Sequence, residues 1–197
     1  MNSPNFSPWN DAFVHLQASQ VLHLHAEIAR THGLRQQSKS AWAAWEQACD
    51  HLHQHRNPLD GLWQREVGEA VRARSGPWRD AAITYLAVSP RYFRSGYLRD
   101  HVCHLLKQSR DLTATEQARI HAALLAGIAR RPSVGGFKHD CRLAARWATP
   151  TFEVQLHQLA QRKDSWTGGR ARRMAYAVAA LQLGLRKRRC GADAWAA

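Results

Sequence analysis

Apolar residues return every three or four positions along most of this chain, the period of a helix with one buried stripe. Strand-like alternation is nearly absent, because no run of Val, Ile and Thr is interleaved with polar residues. Proline supplies the punctuation. A small residue, then Pro, then a bulky residue recurs at Ser7-Pro8-Trp9, Asn57-Pro58-Leu59, Gly76-Pro77-Trp78, Ser89-Pro90-Arg91-Tyr92 and Thr149-Pro150-Thr151-Phe152. Ser, Asn and Thr can accept hydrogen bonds from the free N–H groups of a first turn, and Pro there gives up no useful donor. Each of these sites therefore predicts a helix start. Thr113-Ala114-Thr115-Glu116 reads as a capping box opening a further helix.

The resulting map has nine helices. The first spans 8–31, with Phe13, Leu16, Val21, Leu24 and Ile28 inward and Gly33 as its stop. The second (39–55) buries Trp42, Trp45, Cys49 and Leu52, and the third (58–74) buries Leu62, Trp63, Val67 and Val71. The fourth (78–88) carries Ile83 and Leu86, and the fifth (91–108) turns Phe93, Tyr97, Leu98, Val102, Leu105 and Leu106 inward. The capping box opens a sixth helix to 130, burying Ile120, Leu124, Leu125 and Ile128, and a loop from Pro132 to Gly136 follows. Helices over 137–148, 151–162 and 169–187 complete the set. Short connections between many helices predict an all-α fold of antiparallel hairpins, either a HEAT-like solenoid or a compact helical bundle. One domain is expected over 1–190, with 191–197 frayed.

Charge changes this picture more than composition does. The net charge is +13, and 45% of residues are apolar, enough for a core. Residues 1–98 hold 10 basic and 8 acidic side chains, whereas 99–197 hold 18 basic and 7 acidic. A field that concentrates in one half attracts polyanions. The densest stretch combines Arg162, Lys163, Arg170, Arg172, Arg173, Arg186, Lys187, Arg188 and Arg189 with Trp166 and the pair Gly168-Gly169. The glycines, placed before the last helix, would let backbone N–H groups approach a phosphate. Arg130, Arg131, Lys138, Arg142 and Arg146 flank the preceding loop, the last three sharing one helical face. Arginine forks suit phosphate, so these residues are the expected backbone contacts of a nucleic acid, DNA or RNA.

Candidate chemistry is sparser. The segment Pro90 to Arg99 interleaves aromatics with arginines as single-strand binders do, but Phe93 and Tyr97 lie one turn apart, which favours core packing. His51 and His55 share a helical face without the third ligand that zinc requires, so no metal or other cofactor is expected. Cys49, Cys103, Cys141 and Cys190 form no C-x-x-C pair and read as reduced thiols of a cytoplasmic protein. No secretion signal or membrane span is read, so no membrane partner is expected. Arg99-Asp100-His101-Val102-Cys103-His104 resembles the R-x4-6-H motif of HEPN ribonucleases. That resemblance implies an all-α RNA-cleaving enzyme in which Arg99 binds the scissile phosphate, Asp100 is the second motif position and His104 assists proton transfer. The leading expectation is a non-enzymatic nucleic-acid-backbone binder, such as a small or accessory subunit of a nucleoprotein complex. A protein-binding helical-repeat scaffold and the HEPN-like ribonuclease are the alternatives.

Overall fold

Side-chain caps decide where most helices begin. The computed structural model describes residues 9–73, 76–130 and 136–184, apart from the side chain of Ser165. Among them lie α1 (Asp11–Leu34), α2 (Lys39–Gln54), a 3-10 helix (Pro58–Trp63), α3 (Arg65–Ala73), α4 (Pro77–Val88), α5 (Ser95–Lys107), α6 (Ala114–Ala129), α7 (Phe137–Trp147), α8 (Pro150–Ala160) and α9 (Ser165–Gln182). The described residues contain no strand, and the fold is all-α. None of the described helices is long and apolar enough to cross a membrane. Asn10, Ser38, Asn57, Thr149 and Asp164 each accept a first-turn N–H, and Thr113 and Glu116 form the reciprocal capping box.

Five boundaries differ from expectation, and the first is the start of α1, which Asn10 caps and Asp11 opens in place of Ser7-Pro8. Gly33 does not stop α1, which continues to Leu34. The third predicted helix is two elements, because Gln64 takes an extended conformation between the 3-10 turn and α3. Ser89 does not open a helix. It caps the end of α4 in the left-handed region, and α5 begins only after Arg94, also left-handed. Asp164 starts α9 early, so Gly168 and Gly169 lie inside its first turns rather than before it. Gly168 is needed there for another reason: a Cβ would sit 2.5 Å from the Arg162 carbonyl oxygen, which folds back over the helix. The predicted extension of α9 past 184, and the fraying of 191–197, lie outside the described residues.

Helix α4 is the centre of the packing. Every residue from Ala81 to Leu86 is buried, as a helix contacted on several sides by α1, α3, α5 and α6 requires. Neighbours α4 and α6 are tied by Arg119, which donates to Asp80 and to Thr84 Oγ1 (2.9 Å). Helices α5 and α7 run parallel: Arg99 pairs with Asp140 at their starts, and Trp147 Nε1 donates to the Leu106 carbonyl at their ends. Helix α7 packs on α9, which also holds α8.

Not every apolar residue faces inward. Leu16, Trp42 and Trp63 are exposed, because Val14, Ala18 and Val21 form the inner stripe of α1 and α2 packs mainly on α1. Trp63 instead stacks on the His101 ring, 4.7 Å between centroids. A buried polar contact sits between α6 and α8. His121 stacks on Phe152 at 4.3 Å and its Nε2 is 2.8 Å from the Trp147 carbonyl, so Nε2 carries the proton and donates.

Burial holds the His121 imidazole below its ordinary pKa, against the Trp147 hydrogen bond, which acts the other way. The unfolded chain accepts a proton near pH 6.5 that the folded site resists, so stability falls as pH drops below about 6.5. The melting temperature is expected to be lower at pH 5 than at pH 7. His121→Gln keeps a donor for Trp147 without titrating and should shrink that drop. An unaltered drop in the variant would assign the acid sensitivity elsewhere.

Candidate functional site

Two adjoining features concentrate the positive charge, and both arise where α5 and α7 lie side by side. The first is a cationic ridge. Asp100, His104 and Lys107 fall on one stripe of α5, at i, i+4 and i+7. Parallel to it, α7 presents Lys138, Arg142 and Arg146 on one exposed face, as the spacing predicts. The His104 imidazole is held below its ordinary pKa by burial first, then by the charges of Lys107, His139, Arg72 and Arg142. Those four cationic or protonatable groups, from α3, α5 and α7, therefore lie close enough to His104 to act on its charge. Lys138, Arg142 and Arg146 form no ion pair with a described residue. Arg146 lies over the Trp147 ring at 4.4 Å, which holds its guanidinium in place without neutralising it.

The second feature is a pocket of about 480 Å³ between the α4–α5 connection, the end of α6 and the starts of α7 and α9. Arginines 91, 94, 99, 130 and 170 line it, with Tyr92 and Tyr97 among them. Its two carboxylates, Asp140 and Asp100, are held differently. Asp140 is buried and accepts from Arg99 Nη1 and, at 3.5 Å, from the Cys103 thiol, which burial keeps protonated. Arg99 Nε donates to Ser89 Oγ at 2.9 Å. Asp100 faces His139 at 3.8 Å, and burial raises its pKa against the charges of His139 and Arg99. The only non-glycine residues with positive φ among those described, Ser89 (47°) and Arg94 (67°), both line this pocket. Strain of that kind is costly and tends to be kept at functional sites.

The expected phosphate contacts divide between these features and others. Lys138, Arg142 and Arg146 stand on the ridge. Arg130 reaches back to the Ala87 and Val88 carbonyls (3.1 and 3.3 Å) at the end of α4 and lines the pocket. Arg170 is not an outward contact, since only 8% of it is exposed. It lies 3.9 Å over the Phe137 ring and donates to the Ile128 and Arg130 carbonyls, leaving Nε without a partner. Arg172 is exposed but donates to the Ala160 carbonyl (2.8 Å), and Arg173 is exposed. Arg131, Arg186, Lys187, Arg188 and Arg189 lie outside the described residues, as does Cys190.

Phe93 and Tyr97 correct the expectation of core packing. They are 64% and 70% exposed, because the left-handed turn at Arg94 delays α5 and rolls both rings outward. Arg99 and His104 do not converge on one point. Five positions along a helix turn them about 140° apart, and Arg99 lines the pocket while His104 stands on the ridge. No three His, Cys, Asp or Glu residues among those described gather as a metal site.

Sequence reasoning overlooked Arg72 and Lys107 on the ridge, and Arg94 in the pocket. A signal was present. Gly96-Tyr97-Leu98-Arg99-Asp100 and Gly136-Phe137-Lys138-His139-Asp140 match in glycine, aromatic, basic residue and aspartate. That echo aligns the starts of α5 and α7 and so marks the shared wall of the pocket. No protein family, curated protein or solved structure matches this chain, so its own geometry carries the functional reading.

Proposed function

We propose that this protein binds the nucleic-acid backbone through the ridge formed by α3, α5 and α7, without catalysing a reaction there. The carrying observation is the gathering of Arg72, Lys107 and Arg142 around His104, with Lys138 and Arg146 beside them on α7. Parallel helices give cations one turn apart a rise of about 5.4 Å, and both rows point to the same solvent face. A polyanion is the ligand that such spacing suits, since each phosphate neutralised releases counterions. No base-reading element is assigned, and the contacts described favour charge over sequence.

The test is binding of a single-stranded and a double-stranded oligonucleotide across a salt series. Arg142→Gln is expected to lower the salt slope by about one and to weaken every sequence alike. Affinity for DNA and RNA that stays flat between low and high salt would overturn the proposal.

A second reading, a helical-repeat scaffold for an acidic protein partner, draws support from one regularity. The side-chain ties between α4 and α6 and between α5 and α7 join residues 39 and 41 positions apart. Similar separations are what stacked helix pairs produce. Pull-down with and without nuclease separates the readings: partners retained after nuclease would favour the scaffold.

A further inference from the structure

The pocket beside the ridge is built for something other than a strand running past. Its walls hold three arginines that form no ion pair with a described residue, Arg94, Arg130 and Arg170, with Asp60 acting on Arg94 and Asp140 on Arg170 from farther off. Asp140 is taken by Arg99, whereas Asp100 keeps a buried Oδ1 without a hydrogen-bond partner beside Gly136, and burial raises its pKa. Two helices start at this cavity, α5 at Arg94 and α7 at Gly136, and neither has a side-chain cap. Helix α4 likewise lacks a side-chain cap but begins away from the cavity. Ser95 and Tyr97 of α5 and His139 of α7 already donate to backbone carbonyls, so the positive ends of the two helix dipoles, more than free N–H groups, favour an anion here.

A second observation is independent of the helix ends. Arg170 is more than nine-tenths buried in the pocket wall, and its Nε has no hydrogen-bond partner. Burial pulls its pKa below the ordinary arginine range, against the charge of Asp140, which acts the other way. A buried guanidinium with spare donors is costly unless an acceptor completes it. The left-handed Arg94 keeps its charge at the rim, where an unstrained glycine would carry none.

Size and surface narrow the ligand. A water molecule takes up about 30 Å³, so a bare phosphate fills only a small part of 480 Å³. The volume falls instead in the range of about 300–1,000 Å³ that suits small organic ligands. Tyr97, 70% exposed on the lip, offers a ring face, and every base has a face to stack on it. We propose that this pocket binds a nucleoside phosphomonoester, its phosphate held by Arg94, Arg130, Arg170 and the starts of α5 and α7, and its base stacked on Tyr97. A phosphomonoester presents three outer oxygens to donors arriving from several helices, which an internal diester flanked by two sugars does not. The same chemistry is available from a free nucleotide and from the phosphorylated end of a strand.

The experiment uses the full chain and defined probes. AMP, adenosine and inorganic phosphate are titrated first, followed by one single-stranded oligonucleotide with a 5′-phosphate or a 5′-hydroxyl. AMP is expected to bind at least about tenfold tighter than adenosine or inorganic phosphate, the worth of one charge-assisted hydrogen bond. Arg94→Gly and Arg130→Gln should each cost about tenfold in AMP affinity, and Tyr97→Ala a similar factor. Arg94→Gly also removes the positive-φ strain, so its melting temperature should hold or rise while affinity falls. A 5′-phosphate preference that these variants abolish points to strand ends. AMP binding without that preference points to a free nucleotide. Equal binding of AMP and adenosine, no binding of AMP, or unaltered AMP affinity in folded variants would overturn the assignment. Failure of the ridge is separable, because Arg142→Gln should weaken both oligonucleotides equally and leave AMP untouched.

Discussion

Arg79→Ala is expected to lower the stability of the protein by about 3–5 kcal/mol, the usual cost of breaking a buried ion pair from one side. Arg79 is fully buried at the start of α4. Its Nε donates to the Val71 carbonyl at 2.8 Å, and Nη1 to the Asp111 carbonyl at 2.6 Å. The same guanidinium faces Asp111 Oδ1 at 3.3 Å and Glu116 Oε2 at 3.5 Å. One side chain thus links α3, α4, and the connection and capping box that lead into α6. Alanine leaves the Asp111 carbonyl without this donor and opens a cavity among buried side chains. Urea unfolding should show an earlier midpoint at unchanged slope. Arg79→Met, which restores volume but no donor, should recover part of the loss. A loss below about 1 kcal/mol would mean that Arg79 does not organise this junction, and full recovery by Arg79→Met would mean that packing, not the guanidinium, does.

Replacing Lys107, Lys138 and Arg142 together with glutamine is expected to weaken oligonucleotide binding by roughly two to three orders of magnitude at 0.1 M salt. In the counterion-release description each phosphate contact is worth a factor of about eight at that concentration, and three contacts multiply. All three side chains lie on the ridge, and Lys138 and Arg142 are exposed. None of the three is in an ion pair with a described residue, so their loss should leave the melting temperature close to that of the parent. The salt slope should fall by about three units in the same measurement. An affinity within a factor of two of the parent would remove the ridge from the binding surface.

Helix content was readable because the apolar stripe and the polar caps are local properties. Thr113 to Glu116 and Thr149-Pro150 act as their residue types dictate, whatever packs against them later. Ser89-Pro90 shows the limit. Its pattern matches a helix start, yet the chain must leave α4 there and turn back, so Ser89 becomes a C-cap and the helix begins six residues after it. That choice placed Phe93 and Tyr97 in solvent rather than in the core.

The candidate site was legible only in part. The charge imbalance pointed to the second half, and the stripe Lys138, Arg142, Arg146 was predictable from spacing alone. Arg72 was not, because it belongs to the weakly charged first half and joins the ridge only when α3 packs on α5. Arg170 misled for the opposite reason. Its neighbours in sequence are basic and exposed, but α9 rolls it beneath Phe137.

Sequence by itself settled the helical class, most helix starts and the excess of positive charge, since these follow from period, caps and composition. Which cations stay in water, which are buried, and which two helix starts meet at one cavity were decided by tertiary packing. The reason is physical: a helix fixes the angle between its own side chains, but only its neighbours determine which of those angles faces solvent.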